Sequence, residues 1–206
     1  MTEDQKALIL ETIDLMSRVF WGIDAQFTQT LWDDGLSDFL KELNEFVDGT
    51  IDSEIDEMNR IKEAFDSADD LHSELNINYV TLFVNAKEGL QVPLYQSGYL
   101  PGSSGLMGTS SVGMKELFEQ QGLSLAKCHN EPADHLSIEL EYLYFVLKKG
   151  WEEEDEKRIT EAKRFVNEQL KGWVGDFAMR LRKADTPLIY SPFASILDKV
   201  LKHLGE

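Results

Sequence analysis

The stretch EPADHLSIELEYLYFVL, residues 131–147, is the part of the chain whose reading decides the fold. Proline suits the first turn of a helix and an acidic side chain suits its positive end, so Glu131-Pro132-Ala133-Asp134-His135 reads as a capped helix start. Behind it, Leu136, Leu140, Leu143 and Leu147 form one stripe, and Ile138, Tyr142 and Phe145 form another. Little polar surface is left around that cylinder, which implies packing on most sides. Two readings of its mouth stand together. Asp134 and His135 are either a rigidly held pair of titratable groups at a functional site, or a stabilising cap beside a solvated histidine.

Working outward, helical spacing dominates. Ile9, Ile13, Met16 and Phe20 recur behind a cap at Thr2, and Leu36, Phe39, Leu40, Leu43, Phe46 and Val47 recur around Ser37 and Asp38. Ile51, Ile55, Met58, Ile61 and Phe65 make a third amphipathic helix with an acidic outer side; Leu71, Leu75, Asn78, Tyr79, Leu82 and Phe83 make a fourth behind Asp70. From Val92 to Gly113, prolines, glycines and serines predict a long ordered loop anchored by Leu94, Tyr95, Tyr99, Leu106 and Met107. Thr109 or Ser110 then caps a short helix that ends near Gly122. After Gly150 the acidic run from Trp151 predicts a new helix start, with Ile159, Ala162, Phe165, Val166 and Leu170 on its buried side and Gly172 bending the path. Trp173, Phe177 and Leu181 belong to a helix that stops before Pro187, and Ser191-Pro192 opens the last one. The expectation is an all-α chain of about nine or ten helices without a fixed repeat.

Composition sets the outer limits. The 206 residues are 42% hydrophobic, enough apolar material to exclude disorder and to fill one well-buried core. Thirty-eight Asp and Glu against 20 Lys and Arg give a formal net charge of -18, which repels phosphate backbones and anionic lipid. That acidity either maintains solubility or attracts a basic ligand or peptide. The single cysteine, Cys128, excludes an intrachain disulfide. The start Met1-Thr2-Glu3-Asp4 lacks a secretory signal and no run of about 18 apolar residues could span a bilayer, so the expected location is the cytoplasm.

The chemical inventory is thin. Cys128-His129 with His135 matches no common zinc spacing, and Cys128 reads as an ordinary small side chain rather than a nucleophile. Gly102, Gly105 and Gly108 recur at intervals of three, but no strand precedes them and no Gly-Lys-Ser/Thr follows, so they make no phosphate-binding fingerprint. A groove of aromatic and aliphatic side chains rimmed by carboxylates would accept a peptide with an apolar stretch beside basic residues, although most aromatic stripes fill the core.

Four patterns in order then resemble one family, the TorD/DmsD (NarJ-like) chaperones of molybdenum-cofactor oxidoreductases. They are Tyr79-Val80-Thr81-Leu82-Phe83, Pro93-Leu94-Tyr95-Gln96-Ser97, Glu131-Pro132-Ala133-Asp134-His135, and Leu170-Lys171-Gly172-Trp173 with Phe177. The likeness runs from about Leu71 to the C-terminus. Gln96, where the family commonly has an acid, and the glycine-rich stretch Gly98 to Gly113 depart from it. The resemblance implies a TorD-like all-helical chaperone domain over residues 1–206, with a possible hinge near 122–130 and a monomeric or domain-swapped state. It implies a non-enzyme without a cofactor of its own. Its partner would be the twin-arginine leader and apo form of a molybdopterin oxidoreductase, guarded against premature export until the cofactor is inserted. Asp134 and His135 would be the central contacts, Glu131 would shape the site and Pro132 would fix the helix start. Tyr79, Tyr95 and Trp173 are further peptide-binding candidates, each also readable as core. The alternatives left open are a guanine-nucleotide-binding protein or switch and a permanent structural subunit of an oxidoreductase complex.

Overall fold

A computed structural model describes residues 1–84, 92–100, 108–124, 131–184 and 188–205. Among them are ten α-helices and no strand. Pro101, Gly102, Gly105, Leu106 and Met107 of the expected loop, Cys128 and His129, the greater part of the expected hinge and Pro187 lie outside the described residues.

Helix α1 (Glu3–Trp21) starts at a capping box, in which Thr2 Oγ1 accepts from Gln5 N at 3.2 Å and Gln5 Oε1 accepts from Thr2 N at 2.9 Å. Helices α3 (Ser37–Phe46), α4 (Asp52–Glu63) and α5 (Ala68–Tyr79) follow the predicted spacing. The cap of α5 is Ser67 rather than Asp70; the hydroxyl of Ser67 accepts from Asp70 N at 3.1 Å. One helix, α2 (Ala25–Trp32), was not expected. It is held by Asp24, whose Oδ1 accepts from Phe27 N at 2.7 Å, and it buries only Phe27, Thr28 and Leu31, too few to make a pattern.

The second half holds α6 (Thr109–Gln120), α7 (Leu136–Glu152), α8 (Glu156–Phe165), α9 (Lys171–Lys183) and α10 (Tyr190–Leu204). Three expectations need correction. The loop ends at Gly108, the cap position of α6, so Thr109 is already helical and Gly113 lies inside the helix. Helix α7 runs through Gly150 to Glu152, and the next helix is capped by Asp155. Gly150 serves close packing rather than a break, since a Cβ there would come within 2.9 Å of Ile159 Cγ1 on α8. The path also passes through Gly172 in helical form; the irregularity is a π-helical turn at Val166–Leu170, just before α9.

Helix α1 lies along α7, which in turn packs on α8, while α10 packs on α9, α4 and α1. Ile13, Met16 and Phe20 thus meet Leu140, Leu143 and Leu147 in the same apolar cluster as Trp173, Phe177 and Phe193. Burying these side chains drives the assembly, at about 25 cal/mol per Å² of apolar surface removed from water. The arrangement leaves the N-terminal end of α7 facing segment 92–100 and the start of α6.

Candidate functional site

The turn 131–135 is a three-way junction. Segment 92–100 runs antiparallel to it: Leu136 N donates to Leu94 O at 2.8 Å and Gln96 N donates to Asp134 O at 3.0 Å, forming a bridge between Tyr95 and His135. The first of these bonds satisfies a helix N-terminal amide that would otherwise lack a partner. Pro132 accepts from His135 N at 3.1 Å, so the proline opens the turn before α7 rather than the first turn of the helix itself. His135 is the cap of α7, with Nδ1 accepting from Ser137 N at 3.2 Å.

Asp134 is fully buried, at 0% exposure. Its Oδ2 accepts from Ser97 N at 3.0 Å and from Ser110 Oγ at 2.9 Å, while Ala133 N donates to Ser111 Oγ at 3.1 Å. One carboxylate therefore ties segment 92–100 to the start of α6. His135 is 3% exposed, not solvated. Its ring lies flat on Trp21 with centroids 4.5 Å apart and meets the edge of Tyr95 at 5.2 Å.

Around this buried lock sits a partly exposed rim. The Tyr95 hydroxyl donates to Glu131 Oε2 at 2.5 Å, and Trp21 Nε1 donates to Glu141 Oε1 at 2.8 Å. Burial, then the hydrogen bond to Glu131, pushes the Tyr95 phenol up. Tyr79 donates to Phe20 O at 3.2 Å; burial, then the nearby Glu131 charge, raises it to about 12. Both phenols stay protonated donors at neutral pH. Trp173 lies on the inner side, buried, with Nε1 donating to Glu139 Oε2 at 3.1 Å.

The structure thus brings Glu131, Pro132, Asp134, His135 and Tyr95 into direct contact, places Tyr79 within reach of Glu131's charge, and sets Trp173 behind them through Glu139. Trp21, Ser97, Ser110, Glu139 and Glu141 were not anticipated. Of these Ser97 stands in the pattern Pro93–Ser97 and Ser110 in the α6 cap region, and Glu139 carried a signal as an acid beside Leu136, Ile138 and Leu140 on the buried part of α7. Among the described residues, no group of three or more His, Cys, Asp or Glu could hold a metal ion, and no helix is long and apolar enough to cross a membrane.

The profile of the nitrate reductase delta subunit family matches residues 30–179 of the 206. The chain belongs to that family. Within it, the chain is similar to the chaperone protein TorD of Vibrio atlanticus, 27% identical over 196 residues, and to that of Vibrio parahaemolyticus, 28% identical over 196; each alignment covers 88% of both chains. The fold is shared with a crystal structure of a candidate redox enzyme maturation protein from Archaeoglobus fulgidus, at 21% identity and a TM-score of 0.52, covering 98% of this chain and 96% of that one. Both the interlocked turn 131–135 and its partner segment 92–100 fall inside the stretch the NarJ/TorD-family profile matches.

Proposed function

We propose that this chain, a molybdoenzyme maturation chaperone of the TorD-like family, holds the twin-arginine leader and apo form of a molybdopterin oxidoreductase while the cofactor is inserted, and so delays export. Residues 1–206 act as one chaperone domain in the cytoplasm, as a monomer or in a domain-swapped form, and the work is binding rather than turnover. The observation that carries the reading is the junction at 131–135, which joins a rigid buried lock to an accessible acidic and aromatic rim in a member of this family.

A leader with a basic start and an apolar middle complements that rim. Glu131, held at one oxygen by Tyr95, offers a carboxylate to a guanidinium, which prefers planar two-point contacts. Asp134 and His135 are closed to solvent in this conformation and become direct contacts when segment 92–100 lifts; until then they fix Tyr95 and Glu131 in place. Tyr79 and Trp173 support the same rim from beneath.

The test is retention from an anaerobic lysate of the host, read by mass spectrometry. Wild type is expected to retain an apo-oxidoreductase precursor with its leader intact. Asp134→Asn and His135→Ala, checked for folding by circular dichroism, are expected to retain about tenfold less, equivalent to about 1.4 kcal/mol. Undiminished retention by both folded variants would remove this site from leader recognition.

A further inference from the structure

A second surface shares no residue with the junction at 131–135. A cavity of about 380 Å³ opens between the α2–α3 turn, α3 and α4. Its floor is apolar and buried, formed by Leu31, Leu40, Met58, Leu71 and Ile189. Asp34 pairs with Lys62 at the mouth, and Asn59 and Glu63 stand beside them. The lip is firmly built. Asp34 holds φ 58, a left-handed conformation that Asp tolerates better than most side chains. A Cβ on Gly35 would come within 2.8 Å of Thr30 Cγ2 and 3.0 Å of Thr30 O, so this turn is seated against the end of α2.

Across α3 lies a shallower concavity of about 270 Å³ lined by Leu15 and Phe39, with Glu11, Asp14 and Arg18 around it; Leu36 belongs to both. The two hollows flank α3 and meet at Leu36. Four carboxylates, Glu11, Asp14, Asp34 and Glu63, line the hollows with two cations, Arg18 and Lys62; the Asp34–Lys62 pair cancels, which leaves three carboxylates against Arg18.

We propose that this surface docks a basic amphipathic helix of a protein partner, with apolar side chains entering the hollows on either side of α3 and Lys or Arg meeting the carboxylate edge. Charge selects that occupant. A net charge of -18 opposes a second copy of this chain, nucleic acid and anionic lipid alike, and favours a basic polypeptide. Shape agrees, because a helix laid in a groove is read by apolar anchors at i, i+3 and i+4, and each hollow has apolar side chains to receive one. The proposal is independent of the leader reading.

The probe is a synthetic peptide of leucine and lysine patterned with helical period, titrated against the full chain and followed by NMR. Saturable shifts are expected at Leu36, Leu40, Ile55 and Met58. Asn59→Trp, an exposed substitution that fills the mouth, is expected to weaken binding about tenfold with an unchanged thermal midpoint. Should that variant fold poorly, the exposed charge reversal Glu63→Lys reads the same edge and should also weaken binding. The same peptide with serine for leucine should give no saturable shifts there. No binding, shifts centred on another face including Glu131–His135, equal binding by the serine peptide, or full affinity in the folded variants would each overturn the proposal.

Discussion

Two of the carboxylates sealed inside this molecule, Glu54 and Glu139, fare in opposite ways. Glu54 on α4 is 2% exposed and meets Lys199 Nζ of α10 at 2.6 Å, Arg182 Nη2 of α9 at 3.5 Å and Ser53 Oγ at 2.9 Å. Burial pushes its pKa up, but the Lys199 and Ser53 hydrogen bonds with the Lys199 charge outweigh that and hold the carboxyl below its ordinary value. Glu139 on α7 is 0% exposed and, among the described residues, receives the Trp173 N–H and pairs with no cation. Burial, with the Asp134 charge added, drives it well above its ordinary value. The difference teaches that the α4–α10 seam is a clasp closed by cations, whereas the acid at the α7–α9 junction behind the candidate leader site is met by an indole N–H, and its burial favours the protonated form. Both acids cross-link helices, but among the described residues only Glu54 does so through cations.

The largest break in this comparison is Lys199→Met. Removing one partner of a buried pair leaves the other charge uncompensated, and with Lys199 itself partly exposed the expected loss is about 2–3 kcal/mol at neutral pH in chemical denaturation. A lowered folded-state pKa gives stability that is present above the unfolded value and lost as pH falls through the folded one. The deficit of the variant should therefore shrink on acidification. A deficit that stays constant through the carboxylate range would show that Lys199 acts through something other than Glu54.

Glu139→Gln should behave in the reverse sense. Because the folded-state pKa is raised, the wild-type contribution is full below the unfolded value and is lost as pH rises through the folded one, at about 1.4 kcal/mol per pH unit between the two. Glutamine reproduces the protonated form and keeps an acceptor for Trp173. The variant should match wild type within about 1 kcal/mol in acid and gain on it as the pH of the denaturation series increases. Parallel pH profiles would mean that Glu139 is already ionised.

This contrast also marks where reading the chain succeeded. Helices α1, α3, α4, α5 and α7 to α10 were legible because Ile9, Leu43, Met58, Leu143 or Leu197 recur at the spacing that a buried face requires. Helix α2 was hidden by its brevity, and Gly150 was misread because a glycine at a helix–helix contact looks the same in sequence as one that ends a helix. At the candidate site, the run Glu131–His135 and Tyr95 stand out in the sequence and meet in the structure, but the ring stacked on His135 belongs to Trp21, which is far away in the chain and whose pairing no local pattern encodes. Nor does anything local separate Glu54 from Glu139. Each is an acid on an otherwise patterned helix, and the cation that holds Glu54 below its ordinary value is Lys199, with Arg182 at 3.5 Å from the carboxylate, both more than a hundred residues later.

The smallest expected effect sharpens the clasp itself. Arg182 is 62% exposed at its side chain, and its contact to Glu54 Oε1 is long, while its bond to Ser195 Oγ is 2.7 Å. Arg182→Ala should therefore cost about 0.5 kcal/mol or less, the level of exposed pairs. Its value lies in the cycle with Lys199→Met. If the two costs add, the guanidinium belongs to Ser195 and Glu54 depends on Lys199 alone. If instead Arg182→Ala costs much more once Lys199 is gone, the guanidinium moves onto the carboxylate in the single variant, and the coupling energy measures that substitution. A mobile arginine beside Glu54 would then give the α4–α10 seam a second way to stay ionised, which Glu139, reached by an indole N–H instead of a cation, does not have.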